Sequence, residues 1–236
     1  MKTADNPATV SSMLQEAAAR FPANSAVIAG ALRLSYAELR SAISALSREL
    51  ALAGVPGGRV AVAMGNGAAI VIALYAVWQA GAQVVPLNPD YTERELGEIL
   101  DDANVRAIVC GPAQKERLGV FFAGSGRAQV FVLDDAGVPA LVDEGETAEG
   151  PFPDPDSLAI LQYTGGTTGR SKGVMLTHRM VATNVLQRDE IIPMVHGAER
   201  ILCVTPLYRV VRHAIRSANR LGTRYGKKWA GLAQIL

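Results

Sequence analysis

The stretch "RVAVAMGNGAAIVIALYAVWQAGAQVVPL", residues 59–87, carries one charged side chain, Arg59. An apolar segment of this length invites a membrane reading. Its longest uninterrupted apolar run, "AAIVIALYAVW" at 68–78, is 11 residues, whereas a bilayer span needs roughly 20. Gly65, Asn66, Gly67, Gln79, Gly81 and Pro86 cut the remainder into pieces. The pieces have the lengths of a strand (59–64), a helix (68–80, closed by Gly81) and a second strand (83–87). Both strands are apolar at successive positions instead of alternating with polar ones. Such strands are covered on both faces, and a helix between two of them is the crossover of a parallel pair.

The same alternation extends outward. Upstream, Val10, Met13, Leu14, Ala17 and Phe21 recur at helical spacing and predict a helix over 9–20. "SYAE" at 35–38 has the form of a capping box, and Leu39, Ile43, Leu46 and Leu50 mark the buried face of the helix behind it. "GVPGG" at 54–58 ends that helix. Downstream, "TERE" at 92–95 is a second capping box, opening a helix to about Ala103. "VRAIVC" (105–110), "QVFVL" (129–133), "SLAILQYT" (157–164), "VMLTH" (174–178) and "RILCVTPL" (200–207) read as strands, and 179–188 as a helix. The segment 134–156, rich in Asp, Glu, Gly and Pro, reads as an exposed linker. The expected class is α/β: mostly parallel sheet covered by helices.

Composition bounds the partners. Hydrophobic residues make up 49% of the 236 and charged residues 19%, which excludes a disordered chain. A net charge of +1 gives no reason to expect a nucleic-acid or acidic partner. Residues 1–208 hold 16 basic and 22 acidic side chains, while 209–236 hold seven Lys/Arg and no acid. Cys110 and Cys203 lie far apart with no ligand spacing around them, as expected of free thiols in a reducing compartment. With no secretory signal and no transmembrane segment, the expected location is cytoplasmic. Nothing in the sequence fixes the oligomeric state.

Chemistry concentrates in "YTGGTTGRSKG" at 163–173. Gly165, Gly166, Gly169 and Gly173 let backbone N–H groups turn toward a ligand, forming an anion-binding concavity. Thr164, Thr167 and Thr168 add hydroxyls, and a hydroxyl is also a ligand for Mg²⁺. Lys172 adds a mobile point charge suited to phosphate. The spacing is not that of a Walker A loop, in which Lys follows Gly directly; here Arg170 and Ser171 intervene. His178, at the junction after the loop's second strand, reads as a capping or packing residue, and Trp78 as core.

"YTGGTTGRSKGVMLTH" resembles the signature loop of the adenylate-forming (AMP-binding) superfamily, which includes acyl-CoA synthetases, luciferases and peptide-synthetase adenylation domains. "LSYAELR" (34–40) and the stretch from Leu74 to Val109 resemble earlier segments of that family. "PLNPDYTEREL" and "LQYTGGTTG" are most similar to fatty-acid–CoA ligases. The resemblance spans about residues 9–208, taken as the N-terminal portion of the synthetase domain. It implies a two-step reaction. A carboxylate attacks the α-phosphate of MgATP to give acyl-AMP and pyrophosphate, and a thiol, usually that of coenzyme A, then takes the acyl group. The implied substrate is a small carboxylic acid of the fatty-acid kind. The resemblance assigns Thr164, Gly165, Gly166, Thr167, Thr168, Gly169 and Lys172 to the β- and γ-phosphates of ATP, and places Thr168 near Mg²⁺.

The resemblance stops at "TPLYR" (205–209), where Arg209 stands in place of the family's usual His. The family's Tyr-Gly-x-Thr-Glu motif, its ribose-binding Asp and the small domain bearing its catalytic Lys have no counterpart here. The catalytic set is therefore expected to be incomplete and the chain inactive by itself. In the tail 209–236, Arg212, Arg216, Arg220, Arg224 and Lys228 recur every four residues, a like-charged stripe on any helix. The tail reads as non-homologous, the product of a frameshift near codon 208 or of a real truncation. Two further readings stand beside the ligase: a non-catalytic ATP- or anion-binding fragment, and a basic-tailed protein that binds nucleic acid or membrane.

Overall fold

The computed structural model describes residues 9–122, 129–144, 152–164, 171–191, 198 and 200–209. The chain opens with α1 (Val10–Arg20), capped by Thr9, and a hairpin of β1 (Ser25–Ala29) and β2 (Leu32–Ser35). Gly30 turns the hairpin at φ 55°, a conformation that glycine adopts without strain. The capping box forms as the sequence requires. The Ser35 hydroxyl accepts from the Glu38 N–H at 3.2 Å, and the Ser35 N–H donates to the Glu38 carboxylate at 2.7 Å. It starts α2 (Tyr36–Leu52).

The central sheet follows: β3 (Arg59–Ala63), α3 (Ala68–Gln79), β4 (Gln83–Leu87), α4 (Glu93–Ala103), β5 (Ala107–Cys110), α5 (Pro112–Phe122), β6 (Gln129–Val132), α6 (Val138–Glu144), β7 (Leu158–Thr164), β8 (Lys172–Thr177) and α7 (His178–Ile191). Its six strands run in the order β6-β5-β3-β4-β7-β8, parallel except for the antiparallel pair β7–β8. Because successive side chains point to opposite faces, each central strand feeds two cores. Val60 and Val62 of β3 pack with α2, α3 and α6, whereas Ala61 and Ala63 pack with α4 and Leu118 of α5. The α/β class, with mostly parallel strands under helices on both faces, is thus the one the apolar strands dictate.

Two expectations need correction. The segment 134–156 is not a plain linker: α6 buries Val138 and Leu141, and Ser41 of α2 donates to the Val142 carbonyl at 2.8 Å. Val138, Leu141 and Val142 stand at i, i+3 and i+4, a helical stripe that the surrounding acids and glycines obscure. Residues 200–207 form no strand. They carry one isolated bridge at Cys203 and a 3-10 turn at Leu207–Arg209, because Pro206 brings no N–H to a ladder. The β1–β2 hairpin and α5 form in stretches where the sequence pattern predicts no element.

Pro86 lies inside β4, an interior strand. The Gln83 N–H donates to the Gly58 carbonyl on the β3 side at 2.9 Å, so by alternation Pro86 turns its ring nitrogen toward β7. The β4–β7 ladder is registered at one pair, Val84 with Ile160, just before this missing donor.

Candidate functional site

The C-terminal ends of β3, β4 and β7 lie side by side, at the edge where open α/β sheets gather ligand-binding loops. β7 and β8 form the neck of the 163–173 loop. Thr164 pairs with Lys172, and the Thr164 hydroxyl lies 3.4 Å from the Lys172 carbonyl. Gly165, Gly166, Thr167, Thr168 and Gly169 lie outside the described residues. The two ends that are described stand on facing strands, with β8 beginning at Lys172, two residues before the strand expected at 174–178. Lys172 is exposed and has no ion-pair partner among the described residues.

Two features fix the neck. Tyr163 is buried, and its hydroxyl donates to an Asp102 carboxylate oxygen at 2.5 Å, tying the strand to α4. Burial, and then Asp102, hold the Tyr163 hydroxyl well above the usual phenol range, so it stays protonated as the donor in this bond. Opposite it, a Cβ on Gly173 would lie 2.9 Å from the Leu161 side chain and 3.5 Å from the Tyr163 ring. The last glycine of the motif thus answers a packing demand.

His178 sits at the far end of β8, about 20 Å of strand away from the loop. Its N–H donates to the Ser157 carbonyl at 3.1 Å, and its ring packs edge-on against Trp78, centroids 6.0 Å apart. The helix cap is instead Thr177, whose hydroxyl accepts from the Met180 N–H at 3.2 Å. His178 is a packing residue. Its Nδ1 is buried without a hydrogen-bond partner, and burial pushes the imidazole down to about 4. Trp78 is core, with its indole N–H donating to the Ala159 carbonyl at 2.9 Å.

Other residues reach the same sheet edge without a sequence signal. Arg117 of α5 donates to the carbonyls of Pro89 and Tyr91, pinning the loop after β4. Asn66, after β3, ties that loop to the turn at 205–207. The turn packs on β4 and ends in the exposed Arg209. A cavity of about 390 Å³ opens beyond β3, lined by Asn66, Gly111, Asp134 and Asp135 among others. Asp135 already accepts from the Ala69 N–H at 2.8 Å, capping α3. Among the described residues no group of three or more His, Cys, Asp or Glu side chains is placed to hold a metal, and no helix is long and apolar enough to cross a membrane.

Comparison with known proteins bears on this edge. The family model described as "AMP-binding enzyme" matches residues 14–218. Phosphinothricin tripeptide synthetase PhsC of Streptomyces viridochromogenes is 34% identical over 215 residues, which cover 89% of this chain and 18% of that protein. Tyrocidine synthase 3 of Brevibacillus parabrevis is 32% identical over 72% of this chain and 2% of its own length. Among solved structures, the long-chain-fatty-acid-CoA ligase FadD1 of Archaeoglobus fulgidus superposes with a TM-score of 0.78 at 25% identity, over 99% of this chain and 47% of that one. ATP-bound MatB of Rhodopseudomonas palustris superposes with a TM-score of 0.73 at 27% identity, over 88% of this chain and 43% of that one. The chain spans about half the length of these solved relatives and a small share of the synthetases.

Proposed function

The chain belongs to the AMP-binding, adenylate-forming enzyme family, and on that premise we propose that it carries the ATP-phosphate loop of an acid–CoA ligase. The observation behind this reading is the neck: Thr164 and Lys172 paired across β7–β8, with the Lys172 ammonium exposed at the mouth of a glycine-threonine loop. Magnesium, held with ATP near the Thr168 hydroxyl, would supply charge neutralisation for the phosphates. The chain's own contribution is placement. The backbone N–H groups of Gly165, Gly166 and Gly169, with the hydroxyls of Thr164, Thr167 and Thr168, would hold the β- and γ-phosphates. Thr168 would lie nearest the metal, and Lys172 would supply a charge that persists throughout. Orientation of a triphosphate toward an attacking carboxylate is most of what phosphoryl chemistry asks of a protein.

A fatty acid as the carboxylic acid, and coenzyme A as the thiol, are supported by the wording of 86–96 and 161–169 and by the likeness to FadD1 over nearly the whole chain. A second reading is favoured by curated relatives that are peptide synthetases, at 29–34% identity. In it the acyl acceptor is a phosphopantetheine thiol on a carrier protein. Both readings share the loop and differ in the acceptor.

The test begins with MgATP binding by titration calorimetry. The wild-type chain is expected to bind, and Lys172→Ala to weaken binding by about tenfold or more, as loss of a charge-assisted contact worth roughly 1.5–3 kcal/mol requires. Because Lys172 is exposed, the variant keeps the wild-type melting temperature. ATP–pyrophosphate exchange is expected to be absent for this chain alone, since its sequence holds no Tyr-Gly-x-Thr-Glu motif. Fatty-acid-dependent exchange that Lys172→Ala abolishes would overturn that expectation and show a complete site.

A further inference from the structure

The side-chain amide of Asn66 engages one distant turn through both its nitrogen and its oxygen. Its Nδ2 donates to the Thr205 carbonyl at 3.0 Å, and its Oδ1 accepts from the Leu207 N–H at 2.7 Å. Pro206 lies between these two groups and has no N–H of its own. An amide, with one donor arm and one acceptor arm, matches the carbonyl at 205 and the N–H at 207 together, which a carboxylate or a hydrocarbon does not. The two bonds cross 139 and 141 residues of sequence, so they hold together parts of the chain that have no local reason to meet.

The turn so held is closed by the Arg209 N–H donating to the Pro206 carbonyl at 3.0 Å. Leu207 and Tyr208 are half-buried against the core that α3 and β3 share. The 3-10 turn packs on β4, and Tyr208 and Arg209 come within electrostatic reach of the Tyr91 hydroxyl. β4 is the neighbour of β7, which feeds the phosphate loop. Residues 205–209 thus lie against β4, one strand over from the strand that leads into the loop.

We propose that Asn66 is a positioning residue: its amide clamps the Thr205–Leu207 turn onto the C-terminal edge of the sheet and thereby sets nucleotide affinity without touching the nucleotide. The proposal rests on the reading of 163–173 as an ATP-phosphate loop. The clamp itself is structural and stands apart from that reading, so the two are separable by experiment.

The full chain would be compared with Asn66→Ala, which removes both arms, and Asn66→Asp, which keeps only the acceptor for Leu207. Two quantities are read: hydrogen exchange of the 203–209 segment by mass spectrometry, and the Kd for MgATP by calorimetry. In Asn66→Ala the Leu207 amide is expected to exchange roughly tenfold faster or more, and MgATP to bind several-fold more weakly. Asn66→Asp is expected to lie between wild type and Asn66→Ala on both measures. It also carries the test if Asn66→Ala does not fold. Unchanged exchange in both variants overturns the clamp. Faster exchange with an unchanged Kd overturns the positioning role and leaves a structural one. A wild-type chain that does not bind MgATP overturns the loop reading and the positioning role together, whereas binding indifferent to Asn66 overturns the positioning role alone.

Discussion

His178 is buried beside Trp78 with one ring nitrogen unpartnered, and its proton affinity records that burial. The folded imidazole titrates near about 4, while an unfolded one titrates near about 6.5. In that interval the unfolded chain binds the proton first. The stability contribution is therefore complete above about pH 6.5 and is lost as the pH falls toward about 4, by at most roughly 3 kcal/mol. His178→Leu should flatten this part of the profile. Urea denaturation of both proteins near pH 7 and near about pH 4.5 checks it: equal losses would mean that His178 is not the group responsible. At this scale the sequence was informative about chemistry and silent about engagement. The loop's residue types carry the proposed phosphate reading wherever they stand. That Tyr163 is held by Asp102, or Asn66 by the turn at 205–207, depends on partners 61 and about 140 residues away, and no local pattern encodes such pairs.

Elements were legible where two independent signals coincide. α2 and α4 each begin at a capping box and carry an apolar stripe, and both boxes form, at Ser35–Glu38 and Thr92–Glu95. Because α2 packs on α3 and α6, its first turn supports much of one core. Ser35→Ala should lower unfolding free energy by about 1 kcal/mol in urea denaturation; no measurable change would show that the Glu38 arm suffices. Elements were missed or misread where one signal masks another. The stripe of α6 is hidden by acidic neighbours, and its burial against α2 is a tertiary outcome. The apolar run 200–207 has the composition of a strand, but Pro206 denies it a ladder and Asn66 supplies the hydrogen bonds instead.

As a whole molecule, the described part is a six-stranded sheet with two cores and one uncovered flank. β8, at one end of the strand order, exposes Val174 and Met175, 44% and 59% exposed, and α7 exposes Met180 and Ile191, at 56% and 69%. Val204, at 57%, adds to the exposed apolar surface. Apolar side chains on a terminal strand favour association through that edge. The chain is expected to associate with rising concentration in sedimentation velocity, and Met175→Lys to shift it toward monomer. A monodisperse wild-type monomer with a cooperative melt would remove this expectation. The sequence by itself determined the class of fold and marked the loop on which the proposed phosphate reading rests. Both follow from residue type and spacing: apolar runs at strand and helix lengths must be covered on both faces, and glycine, threonine and lysine in close succession present N–H groups, hydroxyls and a cation together. Only the tertiary structure decided the strand order, the burial of α6, the packing role of His178 and the clamp at Asn66. These arise when segments distant in sequence compete for the same buried space and the same unpaired backbone groups, a competition settled by the whole chain at once.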